Sequence, residues 1–206
     1  ALMALEKYHE ALAAATTSEW NRNDALMALG RADTLEQIYR GRAVPKDVRL
    51  FVALSNWRSH SDTPIDSILA PHRAFLERSK VLFFMVPLVR DLQRGGHALD
   101  SACREVASNR RFTRRWHTAS YALGRIDSTR FLEQSMQLGI GGRLAVARAL
   151  RAELESGSAD PVAAWREYLS LPRWQVDFTP SLDLLAQWRV EIGERQARAR
   201  ESSRVE

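Results

Sequence analysis

The feature that most constrains this chain is a helical period of apolar residues, interrupted repeatedly by glycine and proline. The leucines of the segment 2–12 follow the three-and-four spacing of one helix face. Gly30 and Gly41 stand where glycine commonly ends a helix, and Pro45 stands where a first helical turn favours proline. The alternation of period two that is typical of strands is not sustained anywhere in the sequence. The sequence therefore predicts an all-α fold.

We expect ten to twelve helices. Pro71 predicts a split or kink, and the apolar segment 81–89 predicts the most buried helix. In the second half, the predicted helices cover 98–108, 112–124, 128–138, 143–156, 160–170 and 181–199. The glycines of 139–142 predict a helix C-cap and a turn rather than an anion site, and 173–178 predicts an extended linker.

The same helix-ending and helix-starting residues recur in the same order in both halves, which indicates an internal duplication. Residues 28–34 (Ala-Leu-Gly-Arg-Ala-Asp-Thr) resemble residues 122–128 (Ala-Leu-Gly-Arg-Ile-Asp-Ser), and Leu-Glu-Gln follows each. The alternative is that helical proteins in general reuse such residues. We predict two similar helical units, 1–96 and 97–206, that pack as a short solenoid, as paired bundles or as one domain.

Composition and the N-terminal sequence limit the class of protein. Of 206 residues, 45% are hydrophobic and 27% are charged, as in globular proteins. No apolar run approaches the roughly 20 residues of a membrane-spanning helix. Cys103 is the single cysteine, which excludes an intramolecular disulfide and fits a reducing, cytoplasmic location. The N-terminus lacks a secretory signal and enters a helical pattern without a cap, which favours a module of a larger protein.

Catalytic, cofactor and metal signatures are weak or missing in the sequence. The five histidines show no paired spacing for zinc, and the pair Glu6 and His9 lacks the second copy that a di-iron bundle needs. The segment 59–62 contains the residue types of a catalytic triad, but adjacency in sequence does not create triad geometry. We therefore predict no catalytic, cofactor-binding or metal-ligating residue. An enzyme whose site forms between the two units is the open alternative.

The basic residues of the chain are concentrated in one segment. The chain has 30 basic residues, almost all arginine, against 25 acidic ones, and Arg104–Arg130 holds seven arginines against Glu105 and Asp127. The predicted contact residues are Arg110, Arg111, Arg114, Arg115 and Trp116. On a helix these arginines share one face, and guanidinium groups at that spacing can bind carboxylates or phosphates. The alternatives are a solvated face with acidic neighbours and, for Trp116, core packing.

Two functional hypotheses follow from this segment. The first is a non-enzymatic adaptor module of a larger bacterial protein, which binds an acidic protein partner through the arginine face. The second is a nucleic-acid-binding helical protein that uses Arg104–Arg130, with an affinity that falls steeply as salt rises.

The last quarter of the chain carries two further expectations. Its dense aromatic group predicts buried packing, with exposed interface anchors as the alternative. The members are Trp165, Tyr168, Trp174 and Trp188. The tail from Arg189 onward alternates in charge at helical spacing, which predicts a solvated helix that frays.

Overall fold

The structure is a computed structural model that describes residue 10 and residues 19–59, 63–77, 82–109, 113–134, 140–155, 159–172 and 179–205. The helices in chain order are α1 (Glu19–Ala28), α2 (Ala32–Ile38), α3 (Lys46–Arg58), α4 (Ile65–Leu69), α5 (Arg73–Leu76), α6 (Leu82–Arg94), α7 (Ala98–Ser108), α8 (Thr113–Ala122), α9 (Ser128–Gln134), α10 (Ile140–Leu154), α11 (Pro161–Ser170) and α12 (Pro180–Val205). Within these ranges there is no strand, and the number of helices agrees with the ten to twelve expected. The predicted all-α class is confirmed.

Local sequence sets several helix ends as predicted. Asp160 is the N-cap of α11, and its side chain accepts hydrogen bonds from the N–H groups of Val162 and Ala163. Pro71 interrupts the helical segment as predicted. The chain leaves α4 at Leu69 and passes through a 3-10 turn, Ala70–His72, before α5 begins.

Two predicted helix limits in the second half are wrong by three residues or more. α10 begins at Ile140, so Gly141 and Gly142 lie in its first turn rather than in a C-cap turn. Backbone donors in a first turn have no intrahelical acceptor, so glycine is tolerated there while the alanines and leucines that follow sustain the helix. α12 continues to Val205 instead of ending at 199. The predicted linker at 173–178, and all of the predicted first helix except Glu10, lie outside the described residues.

Both halves of the chain contribute to one large apolar core. Its buried residues come from α3 to α8 and from α10 to α12. α6 is deeply buried, with Phe84 and Met85 fully excluded from solvent, but α10 buries at least as large a share of its residues, so the prediction that α6 is the most buried helix is not confirmed. Smaller apolar clusters join α1 to α3 and α8 to α10. The ranges predicted as two units therefore meet across a shared core, which fixes the surfaces of α3 and α8 relative to each other.

The two segments that resemble each other in sequence fold into the same turn. Gly30 follows α1 at φ 68°, and Gly124 follows α8 at φ 69°. The backbone N–H to carbonyl bonds are Gly30 to Met27, Arg31 to Leu26, Gly124 to Tyr121 and Arg125 to Ser120. Each pair makes a Schellman motif. These correspondences support the duplication, which stays a prediction.

Candidate interaction surface

The predicted arginine face lies only partly within the described residues. Arg110 and Arg111 lie outside them, as does the side chain of Arg114. Arg115 and Trp116 belong to α8 and are described. The structure therefore gives the surroundings of two of the five predicted contact residues.

Arg115 is packed inside the protein. It is 9% exposed, and its guanidinium carbon lies 4.3 Å from the centroid of the Phe83 ring on α6, a cation–π contact. Burial lowers the pKa of Arg115, and the negative charge of Glu77 acts in the opposite direction. In this structure Arg115 joins α8 to α6.

Trp116 is half-buried, and its position agrees with the core-packing alternative. Its indole N–H donates to the carbonyl of Ala107 at 3.1 Å, near the end of α7. Its ring packs against the apolar cluster that contains Tyr121 and Phe131. The binding role of this segment stays a prediction.

The other arginines of the segment Arg104–Arg130 have different surroundings. Arg104 is exposed, and its Nε lies 2.7 Å from Oδ2 of Asp100, one turn earlier on α7. Arg125 and Arg130 are exposed around the turn that joins α8 to α9. The described arginines of this segment therefore do not share a single set of surroundings.

The C-terminal aromatic residues are buried, as the first of the two alternatives predicted. Trp165, Tyr168 and Trp188 are at most 2% exposed, and Trp174 lies outside the described residues. The Tyr168 hydroxyl donates to Asp183 at 2.7 Å. The rings of Trp188 and Trp57 lie 5.0 Å apart, which packs α12 against α3. Described aromatics of this group are thus packing residues and not exposed anchors.

A second basic surface occurs at the start of α3. We call it the basic cluster, and its members are Arg40, Arg42, Lys46 and Arg49. All are exposed. Gly41, at φ 75°, allows the turn after α2, and Pro45 is the N-cap of α3 with φ −54°, a value that its ring favours. The turn and the first turns of α3 therefore carry all four cations within a span of ten residues.

The basic cluster differs in its ionic contacts from those arginines of the described chain that pair with a carboxylate. Within the described part of the chain, none of its members forms an ion pair with a carboxylate. By contrast, Arg58 pairs with Glu191, and Nη2 of Arg166 lies 2.6 Å from Oε1 of Glu194. The sequence holds a signal for this cluster, since 40–49 contains four cations and the single acid Asp47. The excess of positive charge in 40–49 is smaller than in 104–130. Whether a cation pairs with a carboxylate can be determined only from the structure.

A groove of about 460 Å³ lies beside the basic cluster, between α3 and the segment that contains α4 and the 3-10 turn. The residues that line it are Ala53, Asn56, Trp57, Thr63, Ser67, Ile68, Pro71 and His72. The Trp57 indole N–H donates to the Thr63 carbonyl at 2.8 Å, which holds one wall in place. Burial, reinforced by the positive charge of Arg49, lowers the pKa of His72. The neutral imidazole is therefore favoured, and Arg49 supplies positive charge beside His72.

Two carboxylates, those of Asp24 and Asp47, lie close enough to interact at the start of α3. Burial and, secondarily, the negative charge of Asp47 raise the pKa of Asp24 to about 6. Asp24 belongs to α1 and Asp47 to the first turn of α3. This pair gives the start of α3 a pH-sensitive neighbour.

The remaining candidate residues are those that the sequence raised for catalysis, metal binding and thiol chemistry. Glu6, His9 and residues 60–62 lie outside the described residues. Among the residues that are described, no three metal-ligating side chains converge, and no helix has the length and apolar character needed to cross a membrane. Cys103 is fully buried, and burial followed by the charge of Asp100 raises the pKa of its thiol to about 12.

Comparisons of the chain with protein-family models, with curated proteins and with solved structures find no match.

Proposed function

We propose that the protein is a non-enzymatic interaction module that binds an acidic surface of a partner protein. The observation that carries this proposal is the basic cluster, Arg40, Arg42, Lys46 and Arg49, exposed and without a carboxylate partner among the described residues. Cations held in this way keep their charge available for an external carboxylate. Complementary charge speeds association and selects among partners.

The rest of the described surface supports recognition led by charge. Leu132 is the one large apolar side chain that is exposed among the described residues, at 42%. A broad apolar interface is therefore not displayed by this part of the chain. Polar contacts around a small apolar centre are an ordinary arrangement for non-obligate interfaces.

Charge reversal with a matched control tests the proposal. Arg40→Glu with Arg42→Glu removes half of the basic cluster, and Arg195→Glu with Arg200→Glu makes the same change in net charge on the exposed part of α12. Binding of a fluorescein-labelled glutamate-rich peptide to each chain is measured by anisotropy at physiological salt. We expect the first variant to bind about tenfold more weakly or worse, and the control to bind nearly as well as the native chain.

Two outcomes would contradict the proposal. Equal losses in both variants would mean that binding follows net charge and not the basic cluster. Tighter binding of a short duplex DNA than of the peptide at physiological salt, lost on reversal of Arg125 and Arg130, would favour the nucleic-acid hypothesis instead.

A further inference from the structure

One face of α3 links the basic cluster to the groove. Lys46, Arg49, Ala53 and Asn56 are spaced by three, four and three residues, which places them along a single stripe of the helix. The first two are exposed cations, and the last two line the groove. A ligand that lies along this stripe of α3 would therefore contact Lys46 and Arg49 at one end and the groove at the other.

The walls of the groove suit an apolar side chain. Ile68 and Pro71 supply an aliphatic chain and a flat proline ring, while Trp57 lines the groove with an indole that is only 3% exposed. A volume of about 460 Å³ lies within the range of ligand pockets and exceeds what one aromatic side chain fills.

The two ends of the stripe carry opposite charge, which gives the site a direction. At one end lie Lys46 and Arg49. At the other end, the Asn56 side-chain amide donates to the Glu36 carboxylate at 2.9 Å. An acidic residue of a ligand is attracted to the first end and repelled from the second.

We infer that the groove receives an apolar side chain from an acidic segment of a partner protein, with the acidic residues lying toward Lys46 and Arg49. This inference rests on the proposed function, and it adds the position of the partner and the chemistry of its central residue. Interfaces commonly concentrate their affinity in one such anchor in a pocket, surrounded by polar contacts.

The test uses the full chain and two labelled peptides. One has phenylalanine between two pairs of glutamates, and the other has alanine in the same place. We expect the phenylalanine peptide to bind at least about tenfold more tightly, because only its ring leaves water in the groove. Ser67→Trp, at an exposed position that lines the groove, should remove this preference by filling the space. Lys46→Glu should weaken both peptides alike.

The outcomes separate the inference from the proposed function. If neither peptide binds, both are overturned. If both bind equally and Ser67→Trp has no effect, the groove is overturned while the proposed function stands. Circular dichroism and thermal unfolding show that each variant is folded. As a measurement on the native chain, nitrogen-15 spectra should show peptide-dependent shifts of the Trp57 indole and Asn56 side-chain signals; shifts confined to other signals would also overturn the inference.

Discussion

Glu153 of α10 and Arg189 of α12 form an ion pair inside the protein. Nε of Arg189 donates to Oε1 of Glu153 at 2.6 Å and Nη2 donates to Oε2 at 3.1 Å, and each side chain is only 7% exposed. The Trp165 indole N–H donates to the same Oε1 at 2.9 Å. One carboxylate therefore holds three helices, α10, α11 and α12, in register.

Removal of one partner of this pair should strongly destabilise the protein. Arg189→Met leaves the Glu153 carboxylate buried with only the indole donor, and we expect a loss of about 3–5 kcal/mol in the free energy of unfolding. The double variant Glu153→Met with Arg189→Met should lose less than Arg189→Met alone, because no charge is then buried. Urea unfolding followed by circular dichroism measures both values. A double variant less stable than Arg189→Met would contradict this account.

Replacement of one glycine in α12 by alanine should destabilise the protein, although helix propensity alone predicts a gain in stability. Glycine to alanine within a helix normally gains about 1 kcal/mol. At Gly193, however, a Cβ would overlap Cγ2 of Val162 on α11 and lie 2.9 Å from Nη1 of Arg189. We expect Gly193→Ala to lose about 1–3 kcal/mol. Val162→Ala in the same chain should restore part of that loss, and a gain in stability from Gly193→Ala alone would show that the two helices separate at little cost.

The stability of the protein should depend on pH through Asp24. Its pKa is raised from 3.8 to about 6 in the folded state, so folding favours the protonated carboxyl. The resulting stability is complete below pH 3.8 and is lost as the pH rises through about 6. At pH 8, Asp24→Asn should therefore be more stable than the native chain, by about 1–2 kcal/mol after allowance for solvent screening of this half-buried group.

The comparison of native and Asp24→Asn chains by urea unfolding at several pH values checks this prediction. The difference should shrink as the pH falls below 6 and vanish near pH 4. Asp33 is the matched control, because a hydrogen bond from the Thr34 backbone and, less strongly, Arg31 lower its pKa. Asp33→Asn should give no gain at pH 8. A constant gain from Asp24→Asn at every pH would assign the effect to something other than ionisation.

A structural feature could be predicted from the sequence where its cause lies in neighbouring residues of the chain. Asp160 and Pro71 act on their own turn, so the limits of α11 and the break after α4 could be predicted from neighbouring residues. Arg115 shares a helix with Arg114, but its burial depends on Phe83 of α6, which no local pattern identifies.

The groove beside α3 has the same limitation. Ala53 and His72 carry no shared motif, and they meet only because α4 and the 3-10 turn fold back on α3. Charge density can be counted along a sequence, whereas pairing and burial arise from contacts between distant segments. The segment 104–130 was therefore predicted from its charge, while the unpaired state of the basic cluster required the structure.

The twin turns after α1 and α8 should be equally intolerant of alanine. Gly30 and Gly124 adopt left-handed φ values of 68° and 69°, where a Cβ costs about 1–2 kcal/mol. Neither site adds a steric penalty, since a Cβ at Gly30 has nothing within 4 Å and one at Gly124 lies 3.7 Å from Nη2 of Arg151. We expect Gly30→Ala and Gly124→Ala to lose similar amounts, and asparagine at either position to lose less, because it tolerates this conformation.

Urea unfolding of the single and double variants measures these losses. The two losses should add in the double variant, because the turns belong to different helix pairs and independent sites are additive to within about 0.5 kcal/mol. Equal and additive losses are what two copies of one ancestral unit would show, since each keeps the same backbone constraint. A large loss of stability at one glycine and none at the other would remove this support for the duplication. The two turns would then differ in their contribution to stability despite the same hydrogen-bond pattern.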